Sequence, residues 1–202
     1  MLSSPAVPTL QTRRLIIRPW ERRDADDMFE YASDLEVTRT AMWLPHTSVE
    51  ESIRDIAEAI TRYEKDSWMF LGIEHRADRK FIGSVGFVEW NRYDRRAELA
   101  FALNRKYWSQ GIMTEACRAV LQFGWAEMQL HRVEAKCIAT NLASIAILDK
   151  LGFVREGLRK ESARMNQSYT DTIEWGLLRS RYNEKGSTGS SIQAAMDEGS
   201  FT

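Results

Sequence analysis

Hydrophobic and polar positions along the chain alternate between the two periods that distinguish strands from helices. The pattern of a strand recurs in seven segments, at residues 15–20, 68–73, 80–90, 97–103, 133–139, 153–158 and 170–178. The pattern of an amphipathic helix recurs in four segments, at residues 24–32, 49–63, 112–128 and 142–151. This order of elements predicts an α/β domain with a mixed sheet.

Local signals place the ends of some elements and of the domain. Asp24 stands where an N-cap would begin the first helix, and Gly152 stands where glycine ends helices. No internal repeat or linker divides the body of the chain. Residues 1–9 and 184–202 are expected to be flexible, the latter because it is small and polar with little to bury. The domain is therefore expected to span residues 10–183.

Composition excludes several classes of protein. The 202 residues include 28 Lys and Arg against 29 Asp and Glu, so the formal net charge of −1 gives no support to nucleic-acid or membrane-surface binding. No apolar run reaches the roughly 20 residues of a membrane span. The first residues lack the pattern of a signal peptide, and two cysteines are too few for a disulfide framework or a four-ligand zinc site. We expect a cytoplasmic protein that needs no metal.

The most informative stretch is a strand that leads through a loop into the long helix. The loop ends at Gly111, and the helix begins at Ile112. Free N–H groups at a helix N-terminus bind anions, and glycine allows a ligand to approach the backbone closely. On one glycine alone, a tight turn is the simpler explanation. No P-loop and no G-x-G-x-x-G follows a strand, which disfavours ATP, GTP and dinucleotides.

A second group of residues follows the next strand. Asn141 lies at the start of a helix, Ser144 lies on its first turn, and residues 151–153 read Leu-Gly-Phe. Each residue alone has a structural explanation, since Asn is a good N-cap and Gly a good C-cap. Their occurrence together with the glycine loop indicates more than capping.

These two groups resemble the GNAT N-acetyltransferases. The resemblance rests on residues 107–116, which read YWSQGIMTEA, on Asn141 with Ser144, and on the Lys-Leu-Gly-Phe of 150–153. It is strongest for the branch of ribosomal-protein N-terminal acetyltransferases of the RimJ/RimL type. Residues 10–20, which read LQTRRLIIRPW, resemble the first strand of that branch, and residues 169–173, which read YTDTI, resemble the start of its last strand. The match covers about residues 10–182. It implies a mixed central sheet of about seven strands flanked by about four helices.

The resemblance also implies acetyl-CoA as co-substrate, with its pyrophosphate on the loop before the long helix. The implied loop residues are Ser109, Gln110, Gly111, Ile112, Met113 and Thr114. The main chain at Phe101, Ala102 and Leu103 is implied to meet the pantetheine and acetyl group, Asn141 to hydrogen-bond the pantetheine arm, and Ser144 to approach its sulfur. Of the family's loop pattern Q/R-x-x-G-x-G/A, this chain keeps only the central glycine.

Acyl transfer to an amine needs a base for the amine proton and a donor for the departing thiolate. Many GNAT enzymes use a tyrosine as the donor, where this chain has Leu148. The resemblance to the RimJ/RimL branch implies a serine instead, which corresponds to Ser144. Glu98 is the candidate base, although an ordinary ion pair at a strand edge explains it equally well. His46 shows no partner pattern, and the three histidines lack metal-ligand spacing.

The acceptor is expected to bind between the early helices and residues 40–46, where Trp43 would line a groove. The sequence favours a protein N-terminal α-amine. A small-molecule amine, such as a polyamine, an amino acid or an antibiotic, is one alternative, and a non-catalytic CoA-binding module is another. An acidic acceptor pocket would favour a small cation, and a groove open at both ends would favour a peptide. The branch resemblance also implies a homodimer or larger homo-oligomer.

Overall fold

The computed structural model describes residues 6–41, 43–66, 69–165 and 168–186. Among these residues, eight strands form one sheet: β1 (Leu10–Gln11), β2 (Leu15–Arg18), β3 (Met69–His75), β4 (Lys80–Asn91), β5 (Arg96–Leu103), β6 (Arg132–Ile138), β7 (Val154–Met165) and β8 (Ser168–Leu178). The α-helices are α1 (Ala25–Ala32), α2 (Leu35–Thr38), α3 (Val49–Asp66), α4 (Ile112–Ala126), α5 (Leu142–Leu151) and α6 (Arg179–Gly186). Within the described ranges, none of the helices has the length and apolarity needed to cross a bilayer.

The sheet is mixed, as the sequence predicts. Its strand order is β1-β2-β3-β4-β5-β6-β8-β7, and β5 with β6 is its parallel pair, while the other neighbours run antiparallel. Parallel neighbours need a crossover connection, and α4 supplies it. The chain therefore passes from the C-terminal end of β5 through the loop of residues 104–111 into the N-terminus of α4.

The parallel pair is short, and its two strands part. Pairing runs from Arg96 opposite Arg132 to Leu99 opposite Ala135. Beyond that point, residues 100–103 remain paired with β4, while β6 continues beside β8 to Ile138. Backbone groups of β5 that face β6 after Leu99 are thus left without a strand partner in the described part of the chain. Such groups need another hydrogen-bonding partner.

Helices cover both faces of the sheet. On one face, α4 buries Ile112, Ala116 and Val120 in a core shared with the strands. On the other face, α1 and α3 bury a separate cluster that includes Tyr31, Ile56 and the strand residue Phe81. Burial of these apolar side chains is the main favourable contribution to folding.

The seven predicted strands and four predicted helices are present, with differences at their ends. The predicted start at Trp68 lies outside the described residues, as do most of the expected flexible ends, at 1–5 and 187–202. β1, α2 and α6 were not predicted, because they are short or lack an apolar period. β7 continues to Met165, beyond its predicted end at residue 158. It is an edge strand whose residues are mostly exposed, so the sequence shows no hydrophobic alternation over this last part. Gly152 ends α5 with φ of +89°, as predicted.

Asp24 lies at the N-cap position of α1, as predicted, but its side chain makes no capping bond to that helix. Its carboxylate makes two bonds to the Arg18 guanidinium, at 2.8 and 2.9 Å, and accepts the Glu21 N–H at 2.7 Å. Arg18 also donates to Glu74 Oε2 at 2.8 Å. Arg18 and Asp24 are both buried, and a buried carboxylate without a cation is strongly destabilising. This network ties β2 and the start of α1 to β3.

We predict that Arg18→Met lowers the free energy of unfolding by about 3 kcal/mol, because Asp24 would be left buried without its cation. Urea denaturation measures the loss. Arg23→Met is the matched control, since Arg23 is 68% exposed and also approaches Glu74, and it should cost less than about 1 kcal/mol. Equal losses for the two variants would contradict this account of the network.

Candidate active site

A cleft of about 650 Å³ lies where β5 and β6 part. One part of it is lined by the end of β5, the loop after it and the first residues of α4. The other part is lined by α1, by residues 40, 41, 43 and 46, and by Asp55 of α3. The start of α5 lines it as well. The cleft thus joins the N-terminus of α4 to the face of the sheet that α1 and α3 cover.

The first part of the cleft has the geometry of an anion site. Gly111 precedes α4 in the left-handed region, with φ of +72°, and Ser109 lies there too, with φ of +60°. The first backbone bond of the helix runs from Glu115 N–H to Gly111 C=O at 3.1 Å, so the N–H groups of residues 112–114 lack an intrahelical acceptor. A Cβ built on Gly111 would approach only Arg14, at 3.7 Å. The open space beside Gly111 and the free N–H groups suit a phosphate.

Arg14 holds this loop and offsets the negative charge of Glu115. Its Nε lies 2.7 Å from Glu115 Oε2, and its Nη1 donates to the Gln110 carbonyl at 2.8 Å. Burial alone would raise the pKa of Glu115, but hydrogen bonds from Thr12 and Arg14 outweigh it, and the pKa is lowered. The carboxylate nearest the anion site is therefore ionised and already paired with a cation.

The structure brings most of the predicted loop and strand residues to the cleft. These are Phe101, Ala102, Leu103, Ser109, Gly111, Ile112, Met113 and Thr114. Gln110 does not line it, because its carbonyl faces Arg14 and its side chain donates to Lys106 C=O at 2.9 Å. Trp108 donates its indole N–H to the Leu103 carbonyl at 2.8 Å, so the last carbonyl of β5 already has a partner.

Asn141 and Ser144 both line the cleft, and Asn141 has a clear structural role. Its Oδ1 accepts the Ser144 backbone N–H at 3.0 Å, which makes it the N-cap of α5. Its Nδ2 donates to Thr40 Oγ1 at 3.0 Å and so joins α5 to the loop after α2. The Nδ2 amide has two N–H donors, so it can keep the bond to Thr40 Oγ1 while the second N–H is directed to a ligand. The Ser144 hydroxyl is half-buried and has no hydrogen-bond partner among the described residues.

Glu98 lies one residue before the parting of the strands. It is opposite Glu134 of β6 and Glu89 of β4, and Lys136 approaches it only to 3.8 Å. Burial raises the pKa of Glu98 above its ordinary value, and Lys136 opposes that effect only in part. Glu98 lines the cleft and also a second cavity of about 460 Å³ beside Trp90. A half-buried carboxylate with a raised pKa is a stronger base than an ordinary surface carboxylate, which suits it to accept a proton.

The sequence shows no partner pattern for His46, but the structure gives its ring two partners. Its Nδ1 lies 2.8 Å from Ser52 Oγ, and its Nε2 lies 3.2 Å from Asp55 Oδ2. His46 and Asp55 line the cleft. The signal in the sequence is the three-residue spacing of Ser52 and Asp55, which places both on one face of α3. No group of three His, Cys, Asp or Glu side chains in the described ranges is arranged to hold a metal ion.

Comparisons with known proteins agree with this geometry. Residues 14–154 match the family model of the acetyltransferase (GNAT) domain. The chain is 33% identical over 176 residues to the uncharacterised N-acetyltransferase p20 of Bacillus licheniformis, a match that covers 86% of this chain and 98% of that protein.

Solved structures share the fold. The ribosomal-protein-S5-alanine acetyltransferase from Vibrio fischeri is similar with a TM-score of 0.72 and 21% identity, over 87% of this chain and 98% of that one. The spermidine N-acetyltransferase from Vibrio cholerae, in complex with CoA and spermine, is similar with a TM-score of 0.74 and 20% identity. The match covers 85% of this chain and 99% of that one.

We predict that Asn141→Ala lowers the free energy of unfolding by about 1 kcal/mol, because α5 loses its N-cap. Asn141→Ser is the matched control, since serine keeps a capping oxygen but is too short to reach Thr40. Thermal or urea denaturation of the two variants separates the contribution of the capping bond to stability from that of the bond to Thr40. Equal destabilisation by Ala and Ser would show that capping is not the main structural role of Asn141.

Proposed function

Because the chain belongs to the GNAT family of acetyl-CoA-dependent N-acetyltransferases, we propose that it acetylates the N-terminal α-amine of a peptide or protein. The fold alone does not determine which amine accepts the acetyl group. One similar structure is named as a ribosomal-protein acetyltransferase, and another is a spermidine acetyltransferase. The lining of the cleft supports the choice of a peptide.

The acceptor part of the cleft has mostly aromatic and apolar walls. Its large apolar lining residues are Trp20, Met28, Tyr31, Val37, Trp43 and Phe70. The carboxylates among the described lining residues are Asp55 and Glu98, and the same lining includes two lysines, Lys136 and Lys150. A polyamine carries several cationic amines, each of which needs a charged or polar partner when it leaves water. A peptide N-terminus carries one amine on a largely uncharged chain, which matches these walls better.

The anion site and the free edge of β5 suit acetyl-CoA. We assign the pyrophosphate to the N–H groups of residues 112–114 beside Gly111 and Ser109, where the helix dipole favours negative charge. The pantetheine arm would take the backbone bonds that β6 leaves open along residues 100–103. Bound in this way, acetyl-CoA presents a thioester near the point where the strands part.

Two side chains are proposed for the chemical step. Glu98 accepts the proton of the attacking amine as the N–C bond forms. As the C–S bond breaks, the Ser144 hydroxyl donates a hydrogen bond to the departing thiolate, which then takes its proton from water. The free hydroxyl of Ser144 supports this role, as does the buried Leu148 at the position where many family members have a tyrosine. The serine is also the feature that supports membership of the RimJ/RimL-type branch.

Transfer to a panel of acceptors tests the proposed function. We expect purified protein to release CoA from acetyl-CoA with short peptides that have a free N-terminus, and mass spectrometry to find the acetyl group on the α-nitrogen. The same peptides with a blocked N-terminus but a free lysine side chain are the control, and should not react. Higher kcat/KM for spermidine or another small amine than for every peptide would contradict the proposal. So would an absence of turnover, which would favour a CoA-binding module.

We predict that kcat falls as pH falls through the pKa of Glu98, because only the ionised carboxylate accepts a proton. Since burial raises that pKa, this acidic limb should lie above the ordinary value of 4.5. Glu98→Gln should abolish the limb and lower kcat by about 100-fold or more. Measurement of kcat at saturating substrates across the acidic and neutral range checks both effects.

Ser144→Ala is the comparison variant for this prediction. It should lower kcat, because the departing sulfur loses a hydrogen bond, but it should leave the acidic limb in place. An acidic limb that persists unchanged in Glu98→Gln would show that another group is the base.

A further inference from the structure

Asp55 differs from Asp34 and Glu30, two other carboxylates on the α1 side of the structure. Asp34 binds Arg105 at 2.8 Å, and Glu30 binds Lys80 at 2.6 Å, so each already has a cation. Asp55 lines the cleft, yet no lysine or arginine of the described residues forms an ion pair with it. Its side chain is 51% exposed, so a ligand can reach it.

Asp55 is held in place by a buried histidine. The His46 side chain is only 9% exposed, and its two ring nitrogens contact Ser52 Oγ and Asp55 Oδ2. Ser52 is fully buried, so it is a fixed support and not a nucleophile. Since both ring nitrogens are engaged, His46 is a positioning residue and not a free base. Asp55 Oδ1 has no partner among the described residues.

An oriented carboxylate with a free oxygen suits a cation, but not the amine that reacts. A carboxylate beside an ammonium group raises the pKa of that ammonium and so opposes the loss of its proton. The reacting amine must lose that proton to attack the thioester. Asp55 is therefore better matched to a second positive charge that stays protonated throughout the reaction.

We propose that Asp55 binds a lysine or arginine side chain close to the N-terminus of the peptide acceptor, and that His46 fixes its orientation. This inference rests on the proposed function. The alkyl stem of such a side chain would pack on apolar walls such as Trp43, with its charged end at Asp55. The enzyme would then select peptides that carry one basic side chain in an otherwise uncharged N-terminal segment.

Matched peptides test this selection. Peptides that carry lysine at the second, third or fourth position are compared with peptides that carry uncharged norleucine there, by kcat/KM. We expect the wild-type enzyme to prefer lysine by about fivefold at one of these positions, the upper range for a partly exposed ion pair. Asp55→Asn should lose this preference and keep its activity on the norleucine peptide. Glu58→Gln, an exposed residue one turn further along α3 and outside the cleft lining, should keep the preference.

Two further variants separate recognition from folding. Asp55→Lys should reverse the preference, so that a glutamate peptide is acetylated better than its lysine counterpart. His46→Gln should reduce the lysine preference through KM while kcat on the norleucine peptide is retained. Equal lysine-to-norleucine ratios in wild type and Asp55→Asn would overturn the inference while acetylation of the norleucine peptides still supported the proposed function. If no peptide were acetylated, the proposed function would fail and this inference with it.

Discussion

The site depends on one constraint, the short parallel pairing of β5 and β6. Parallel strands need a crossover, and here it is α4, whose N-terminus starts beside the C-terminal end of β5. Because pairing stops at Leu99, backbone groups that need hydrogen bonds lie next to a helix N-terminus that attracts anions. The proposed slot for the pantetheine arm and the proposed site for the phosphates therefore arise from the same local geometry.

The two walls of the cleft are held by different interactions. The bonds between Arg18, Asp24 and Glu74 fix the start of α1 against the sheet, and so support the wall of the cleft that contains Tyr31. Arg14, in the turn between β1 and β2, holds the loop before α4. The bond from Asn141 to Thr40 joins the start of α5 to the loop after α2, and so joins the proposed cofactor and acceptor sides. The shape of the cleft is thus set by polar contacts between segments that are far apart in sequence.

Distance along the chain also explains which features could be predicted. Gly111, Asn141 and Gly152 act through the backbone next to them, so local signals were sufficient. His46 with Asp55, and Arg14 with Glu115, are paired by tertiary packing, and in the second case the partners are 101 residues apart. The sequence also could not separate a base from an ion-pair partner at Glu98, because its burial depends on the strands beside it. β1 and α2 were too short to show a period.

Hydrogen–deuterium exchange with and without CoA tests the central claim most directly, namely that CoA binds where β5 and β6 part. The account predicts slower exchange, when CoA is present, at those amides of residues 100–103 that point away from β4 and at the amides of residues 112–114, because these groups would bond the arm and the phosphates. Protection confined to the second cavity, near Glu89 and Trp90, or no protection at all, would contradict it.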